Sequence, residues 1–412
     1  MSYKKWVNAE IDKAKASALS EKLNIDAFVA FLLVSRGIDD ELAASEFLSD
    51  GCRFSSPYLL KDMDKAVKRI NRALDDGESI CIYGDYDCDG VTSTALLYTF
   101  LSALGGFVSY YIPNRATDGY GMNFKAIDKI KADGTDLIIT VDNGISSIEE
   151  AEYIYSLGMQ LIVTDHHQIG ENLPRAEAVI NPHREDNEIE FRDFAGVGVA
   201  FKLACALYDG DVEDLLEDYA DYVTIGTIGD MVPLLNENRA IVKAGLKLIN
   251  TDAKIGISAL KKSTNSKAEH FSATDVAFQI CPRINAAGRM DTANLAVDLL
   301  TCEDNEIAEY KAEQLNLENT HRHEVEEKID KDIAEIMAND RAYQTDRVIV
   351  VAGHNYHKGV IGICAAHLVE LYSKPAIVIG IDDEGNATGS ARSIDGFNIF
   401  EAISNCSDIL TH

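Results

Sequence analysis

The chain reads as an α/β protein built on a largely parallel sheet, with a second, smaller α/β unit carried on a long helix. Three observations predict it. From Ser79 onward, short β-branched runs alternate with helical stretches, the pattern of parallel strands joined by crossover helices. Residues 303–340 are charge-rich, free of Pro and Gly, and composed mostly of strong helix formers. Beyond them RVIVVA (347–352) and PAIVI (375–379) restart the strand pattern, with a helix over 359–372 between them.

Each element follows in order. Residues 1–75 predict an N-terminal helical cap, from the apolar spacing of Ile25 to Leu33 and of Asp64 to Ile70. Strands are expected at SICIY (79–83), FVSYYIP (107–113), DLIITVD (136–142), QLIVTD (160–165) and EAVINP (177–182). Helices follow over 196–208 and 214–229. The domain reading is a cap over 1–75, a catalytic domain over 76–302, a connecting helix over 303–340 and a partial second domain over 341–412. Ser407 to His412 carry no turn or cap signal, so a shortened reading frame is expected.

Composition narrows the class. With 46% hydrophobic and 26% charged residues the chain is an ordinary globular protein, and 412 residues suffice for two or three domains. No run approaches the roughly 20 apolar residues of a membrane span, and MSYKKWVNAEIDKAKA lacks the apolar block of a secretory signal. A cytoplasmic protein with no membrane partner is expected. The eight cysteines contain no C-x-x-C pair, which excludes a zinc knuckle or a disulfide framework, and most read as small buried apolar residues. A net charge of −30 opposes general adhesion to a polyanion. Any nucleic-acid partner must therefore be held locally, and divalent metals on carboxylates could supply the positive charge where a phosphate sits.

YGDYDCDG places Asp85, Asp87 and Asp89 at alternate positions before Gly90. A helix-loop-helix calcium site needs a Glu at the twelfth loop position; counted from Asp85 that residue is Leu96. The acids sit instead where strand SICIY hands over to an apolar helix, with Gly90 letting the chain turn into it. Cys88 stands at an odd position in the alternation and points away from the acids. Three further strand ends carry residues that metals bind: Asp142 before Asn143-Gly144, Asp165 with His166 and His167, and Asp230 closing Tyr222–Met231. Taken singly, each has a plain reading as a turn or a helix cap. Four such ends of one sheet converge on one crevice, which favours a site. Oxygen and imidazole ligands without thiolate select Mn2+ or Mg2+.

The ordered set GDYDCDG, VDNG, TDHH, GTIGDMVPL, PRINAAGRM (282–290), GHNYHKGVIGICAAHL (353–368) and GSARS (389–393) resembles the DHH phosphoesterase superfamily, within it the RecJ-type single-strand-specific exonucleases. The resemblance runs from the cap to the last residue. A Gly-Gly-His motif and an OB-fold that would follow in such enzymes are not present in this sequence. It implies that Asp85, Asp87, Asp142, His166 and Asp230 hold metal, two ions of Mn2+ or Mg2+. It further implies that Asp142 bridges, that His167 lies near metal or scissile phosphate, and that Asp165 orients a histidine. Asp89 takes a supporting part. Arg283, Asn285 and Arg289 would lie beside the crevice, and Arg115, Ser390 and Arg392 would contact a terminal phosphate. The arginines have an alternative reading as surface charge. The loop Gly353 to Gly362 either offers backbone N–H groups to phosphate, with His354 and His357 touching substrate, or has its histidines satisfied by backbone.

The function so implied is metal-dependent 5′-to-3′ hydrolysis of single-stranded DNA in repair and recombination, by a monomer with a single-strand-binding protein or a helicase as candidate partners. Two other classes stand beside it: a phosphoesterase of short oligonucleotides or cyclic dinucleotides, and a non-catalytic DNA-binding scaffold. The cap and long helix speak against the first, and the retained ligands against the second.

Overall fold

The computed structural model describes residues 10–49, 54–115, 119, 121–340 and 342–410. Of the expected cap, residues 1–9 and 50–53, Cys52 among them, lie outside the described residues. Within it, helices α1 (Lys13–Leu23), α2 (Ala27–Ser35) and α3 (Glu41–Leu48) close on a small core of Leu19, Ala30, Leu33 and Ala44. Asp12, Asp26 and Asp40 cap their first turns, each accepting from backbone N–H groups that a helix start leaves orphaned. Helix α4 (Met63–Asp76) then lays Met63, Ala66, Ile70 and Ala73 onto the main core, a spacing of three and four.

The first sheet has five parallel strands in the order β2 (Phe107–Tyr111), β1 (Ser79–Tyr83), β3 (Leu137–Val141), β4 (Gln160–Thr164), β5 (Ala178–Ile180). Ile80, Ile82, Leu137, Ile139 and Val141 face one core, while Cys81, Tyr83, Ile138, Leu161 and Val163 face the other. Both faces are covered, as a parallel sheet requires. Helices α6 (Phe124–Ala132) and α7 (Ile148–Ser156) cover one side. On the other lie α5 (Cys88–Ala103), α8 (Gly196–Leu207) and α9 (Val212–Gly229), outside which pack α10 (Asn236–Thr251) and α11 (Ile255–Ser263). Strand order reverses between β1 and β3, so the crevice at the carboxyl ends of those two strands is the natural ligand position.

A three-residue turn, α12 (Ala273–Asp275), and a π-helical turn over Val276–Ile280 lead into α13 (Cys281–Met290) and α14 (Asn294–Leu300). Helix α15 (Asn305–Asn339) is 35 residues long, about 52 Å at 1.5 Å per residue. Ala308, Ala312 and Leu315 join the main core, and Ile329, Ile333 and Met337 join that of the second sheet. Between them its buried stripe is polar: Asn319, Arg322 and Glu326. A short turn, α16 (Ala342–Thr345), leads to the second sheet, β6 (Ile349–His354), β7 (Ala376–Ile381) and β8 (Ala387–Arg392), with α17 (Ile361–Tyr372) against it and α18 (Ile399–Ser404) beyond. β6 and β7 are parallel and β8 is antiparallel to β7.

Candidate metal centre and phosphate crevice

The acids come together from the ends of elements. After β1 the chain leaves Asp85 buried, and Asp87 caps α5 by accepting from Asp89 N and Gly90 N, each at 3.0 Å. Gly90 is not a turn residue, contrary to its sequence reading: it lies within the first turn of α5. Its lack of a side chain lets the Asp85 backbone approach, since a Cβ there would meet Asp85 N and O at 2.6 Å. Asp142 follows β3 with φ +61°, a left-handed conformation that Asp tolerates better than most residues. Its main chain is held by Thr164 O, while Gly196, opposite, leaves room for its side chain: a Cβ on Gly196 would sit 2.6 Å from that of Asp142.

Asp230 enters from a different kind of element. The sequence groups it with strand ends, but it is the C-cap of helix α9. Tyr222–Gly229 is rich in Thr, Ile and Gly, yet it is helical because it continues the turn begun at Val212 and is buried on all sides. Asp89 is also nearer the centre than a supporting role implies. Its carboxylate accepts from Gly196 N (2.6 Å) and Val197 N (2.8 Å), the first amides of α8, where the helix dipole favours an anion. Its Oδ2 lies 3.8 Å from His166 Nε2.

His166 Nε2 is 3.1 Å from Asp142 Oδ1 and 3.8 Å from Asp230 Oδ2. Ligand atoms of Asp85, Asp87 and Asp142 lie within 4.8 Å of one another, as do those of Asp89, His166 and Asp230, and those of Asp142, His166 and His167. Asp165 is different. Its carboxylate is spent on His166 N, His167 N and His167 Nδ1 through one oxygen and on Ile145 N through the other, so it positions the histidines and is not placed to touch a metal. Asn181, after β5, holds the His167 carbonyl through Nδ2 at 2.9 Å.

Electrostatics agree with a site built for positive charge. Burial, with the neighbouring Asp87 carboxylate, pushes Asp85 up to about 7. Burial and the charge of Asp89 hold Asp142 well above the carboxylate range, and burial with Asp230 does the same to Asp89. Asp230 rises to about 6 through burial, reinforced by Asp87. Burial lowers His166 to about 4, which leaves its ring a neutral donor. The hydrogen bond to Asp165 raises His167 and, against the effect of burial, lowers Asp165. Asp85 Oδ1, Asp142 Oδ1 and His166 Nε2 are buried with no hydrogen-bond partner. Buried acceptors turned toward one another fit divalent cations, and overlapping groups that share Asp142 and His166 fit two. The thiol of Cys88 faces the Ile225 carbonyl and supplies no ligand.

Beside the acids a cavity of about 460 Å3 separates the two sheets, lined by Arg115, Arg289, His357, Lys358 and their neighbours. Arg115 stacks over Tyr86, 5.2 Å from the ring centroid. Arg289 donates to Gly359 O at 3.0 Å. Burial, then the charges of Arg115, Arg322 and Arg392, lower it to about 10 against the opposing charge of Asp87, and the cavity wall carries Arg115, Arg289 and Lys358 beside Asp291 and Asp382. Ser390 and Arg392, on β8, flank Gly362 at the start of α17. Two of the residues expected beside the crevice make their contacts within the protein. Arg283 is turned to Asn316 Oδ1 and Gln279 O, tying α13 to α15 outside the cavity lining. Asn285 accepts from Cys88 N at 2.8 Å and so buttresses the start of α5. In the Gly353–Gly362 loop, His357 Nδ1 accepts from Gly359 N, and His354 is exposed at the end of β6. Sequence reading missed Arg322, Asn181 and Gly196. Small residues around AGVG ahead of an apolar helix were the available signal for Gly196.

The description "DHH family, N-terminal domain" matches residues 79–227, and "DHHA1 domain" matches residues 345–411. The single-stranded-DNA-specific exonuclease RecJ of Bacillus subtilis (strain 168) is 43% identical over 410 residues, covering 99% of this chain and 51% of the relative. That of Escherichia coli (strain K12) is 37% identical over 359 residues, covering 84% and 62%. The chain thus spans roughly half to three fifths of the length of these curated relatives. Among solved structures, exonuclease RecJ bound to manganese superimposes with TM-score 0.74 at 32% identity, over 87% of this chain and 89% of that one. RecJ in complex with Mn2+ from Thermus thermophilus gives 0.80 at 30%, over 97% and 56%.

Proposed function

Since the chain belongs to the RecJ branch of the DHH superfamily, we propose that it is a divalent-metal-dependent exonuclease that hydrolyses single-stranded DNA from the 5′ end. The observation that carries this reading is the meeting of Asp85, Asp87, Asp89, Asp142, His166 and Asp230 at the β1/β3 switch point. Their donor set favours Mn2+ or Mg2+, two ions. When bound, such ions activate water and offset the charge that develops on a phosphodiester.

The chain's own residues do the rest. Asp165 fixes His167 and favours its charged form, which suits contact with a phosphate oxygen. Arg115, Arg289 and His357 line the adjoining cavity, with Ser390 and Arg392 beside Gly362 on the neighbouring β8, and bidentate guanidinium contacts suit a terminal phosphate or the backbone leading to it. With −30 overall, this basic crevice is where an acidic chain can hold a polyanion. The reading includes a cytoplasmic monomer that receives its strand from a single-strand-binding protein or a helicase. Among the described residues no helix is long and apolar enough to cross a membrane. Hydrolysis of short oligonucleotides or cyclic dinucleotides is not favoured, since the curated relatives are named single-stranded-DNA-specific exonucleases.

The test offers purified chain with Mn2+ a 5′-phosphorylated single strand, the same strand with a 5′-hydroxyl, a blunt duplex and a cyclic dinucleotide. Preferential loss of 5′ nucleotides from the phosphorylated single strand is expected. Preference for the dinucleotide, or activity that survives Asp142→Asn, overturns the reading.

A further inference from the structure

β1 and β2 pair in parallel with Tyr83 opposite Tyr111, and Gly84 N extends the pairing by donating to Tyr111 O at 3.0 Å. The two segments therefore leave the sheet side by side. Just past Tyr83 comes Tyr86, between the candidate ligands Asp85 and Asp87, and just past Tyr111 comes Arg115. Both loops are held from α13. Asn114 Nδ2 donates to Asp291 O at 2.9 Å, and Gly288 lies so close that a Cβ there would sit 2.2 Å from Tyr86 O and 3.0 Å from Tyr86 Cβ. The Tyr86 side chain packs against the main core, and Arg115 Cζ stands over its ring, 5.2 Å from the centroid.

We propose that Tyr86 is a positioning residue whose ring orients the Arg115 guanidinium, and that this pair sets a preference for strands ending in a 5′ phosphate over those ending in a 5′ hydroxyl. The inference rests on the exonuclease reading above and names what discriminates within it. A guanidinium within about 6 Å of a tyrosine ring is attracted by the ring quadrupole. Arginine can stack on an aromatic face while its fork of N–H donors stays available for bidentate contact with phosphate oxygens. A side chain already ordered by a ring also gives up less rotamer freedom when it grips a ligand. Arg115 lines the same cavity as Arg289 and His357, so ordering it fixes one wall of the pocket. A 5′ hydroxyl offers that wall no anion. Because Tyr86 shares its loop with Asp85 and Asp87, the phosphate contact and the candidate metal centre are tied to one short segment, which sets the register between the strand end and the bond to be cut.

The test measures binding to the full chain carrying Asp142→Asn, which does not consume the strand, in Mn2+. The probe is a 3′-labelled single-stranded oligonucleotide with either a 5′ phosphate or a 5′ hydroxyl, followed by fluorescence anisotropy. Hydrolysis by the parent is assayed separately, so a chain without nuclease activity strikes the exonuclease reading while the affinity ratio still decides the part of Tyr86. Preference for the 5′ phosphate is expected to fall about 3- to 30-fold with Tyr86→Leu and to stay within about twofold with Tyr86→Phe, which keeps the ring. Should Tyr86→Leu not fold, Tyr86→Met takes its place, since methionine fills irregular space without a ring. Arg115→Ala should abolish the preference, and adding Tyr86→Leu to it should remove no more, because the ring acts through the guanidinium. Equal affinity for both strands before Tyr86 is changed, an unchanged ratio without the ring, or an equal loss of affinity for both strands overturns the proposal. So does a ratio lost with Tyr86→Phe, or an effect of Tyr86 on the ratio that persists without Arg115.

Discussion

Asp142 combines two demands that a single substitution can separate. It sits at φ +61° and presents a buried oxygen to His166. Asn tolerates the left-handed backbone and Ala does not, so Asp142→Ala should lose roughly 1 kcal/mol or more of stability on backbone grounds, whereas Asp142→Asn should melt near the parent. Nuclease assays should find both inactive. Asp165 acts through its neighbours, and Asp165→Asn should reduce kcat about 10- to 100-fold, as loss of a residue orienting metal ligands does. Its pH–rate profile should shift as well, because the raised pKa of His167 depends on that carboxylate. Protons report on the same pocket. Burial and the charge of Asp87 push Asp85 from an ordinary 3.8 up to about 7, so between those values the folded chain binds more protons than the unfolded one. The stability associated with its protonated form is complete below about pH 4 and is lost as pH rises through about 7. Differential scanning calorimetry should therefore find that Mn2+ raises the melting temperature more at about pH 8 than at about pH 5, where protons compete for the carboxylates. An equal rise at both would show that these acids do not hold the ion.

At the scale of elements, the first amides of α8 grip Asp89 and its Gly196 faces Asp142. Gly196→Ala forces a methyl group against the Asp142 side chain and should destabilise by about 1–3 kcal/mol, with weaker Mn2+ binding by calorimetric titration. A variant with unchanged stability and affinity would show that α8 can shift freely. Much of this level is legible in the sequence. Strands β1, β3, β4 and β5 announce themselves because they are buried on both faces and their apolar runs are short and bounded, while the partly exposed edge strand β2 is carried by its aromatic and β-branched composition. Strand β8 does not, since Ala387–Arg392 is an edge strand of small and polar residues with no alternation to read. Asp230 is grouped with strand ends although the helix over 214–229 that carries it is expected from the sequence: the element is legible, and only the kind of end that Asp230 occupies is not. Arg283 and Asn285 are legible as residues near the site, but their spacing along α13 cannot say which way each side chain turns.

At the scale of the whole molecule, α15 belongs to two cores at once. Ile333→Ala opens a cavity under the second sheet and should destabilise by about 2–5 kcal/mol; thermal melts that reported no loss would mean the second sheet does not lean on the helix. Because Asn319, Arg322 and Glu326 occupy the middle of its buried stripe, the stretch between the cores is held by few apolar contacts. The helix then sets the angular phase between the halves of the protein. A single residue inserted near Asn319 would turn everything beyond it by about 100° and advance it 1.5 Å, carrying Ser390, Arg392 and His357 around the axis and away from the acids. Seven inserted residues would bring the angle back to within about 20° while displacing the second sheet by about 10 Å. Reach and orientation toward the acidic pocket are in this way encoded as a residue count.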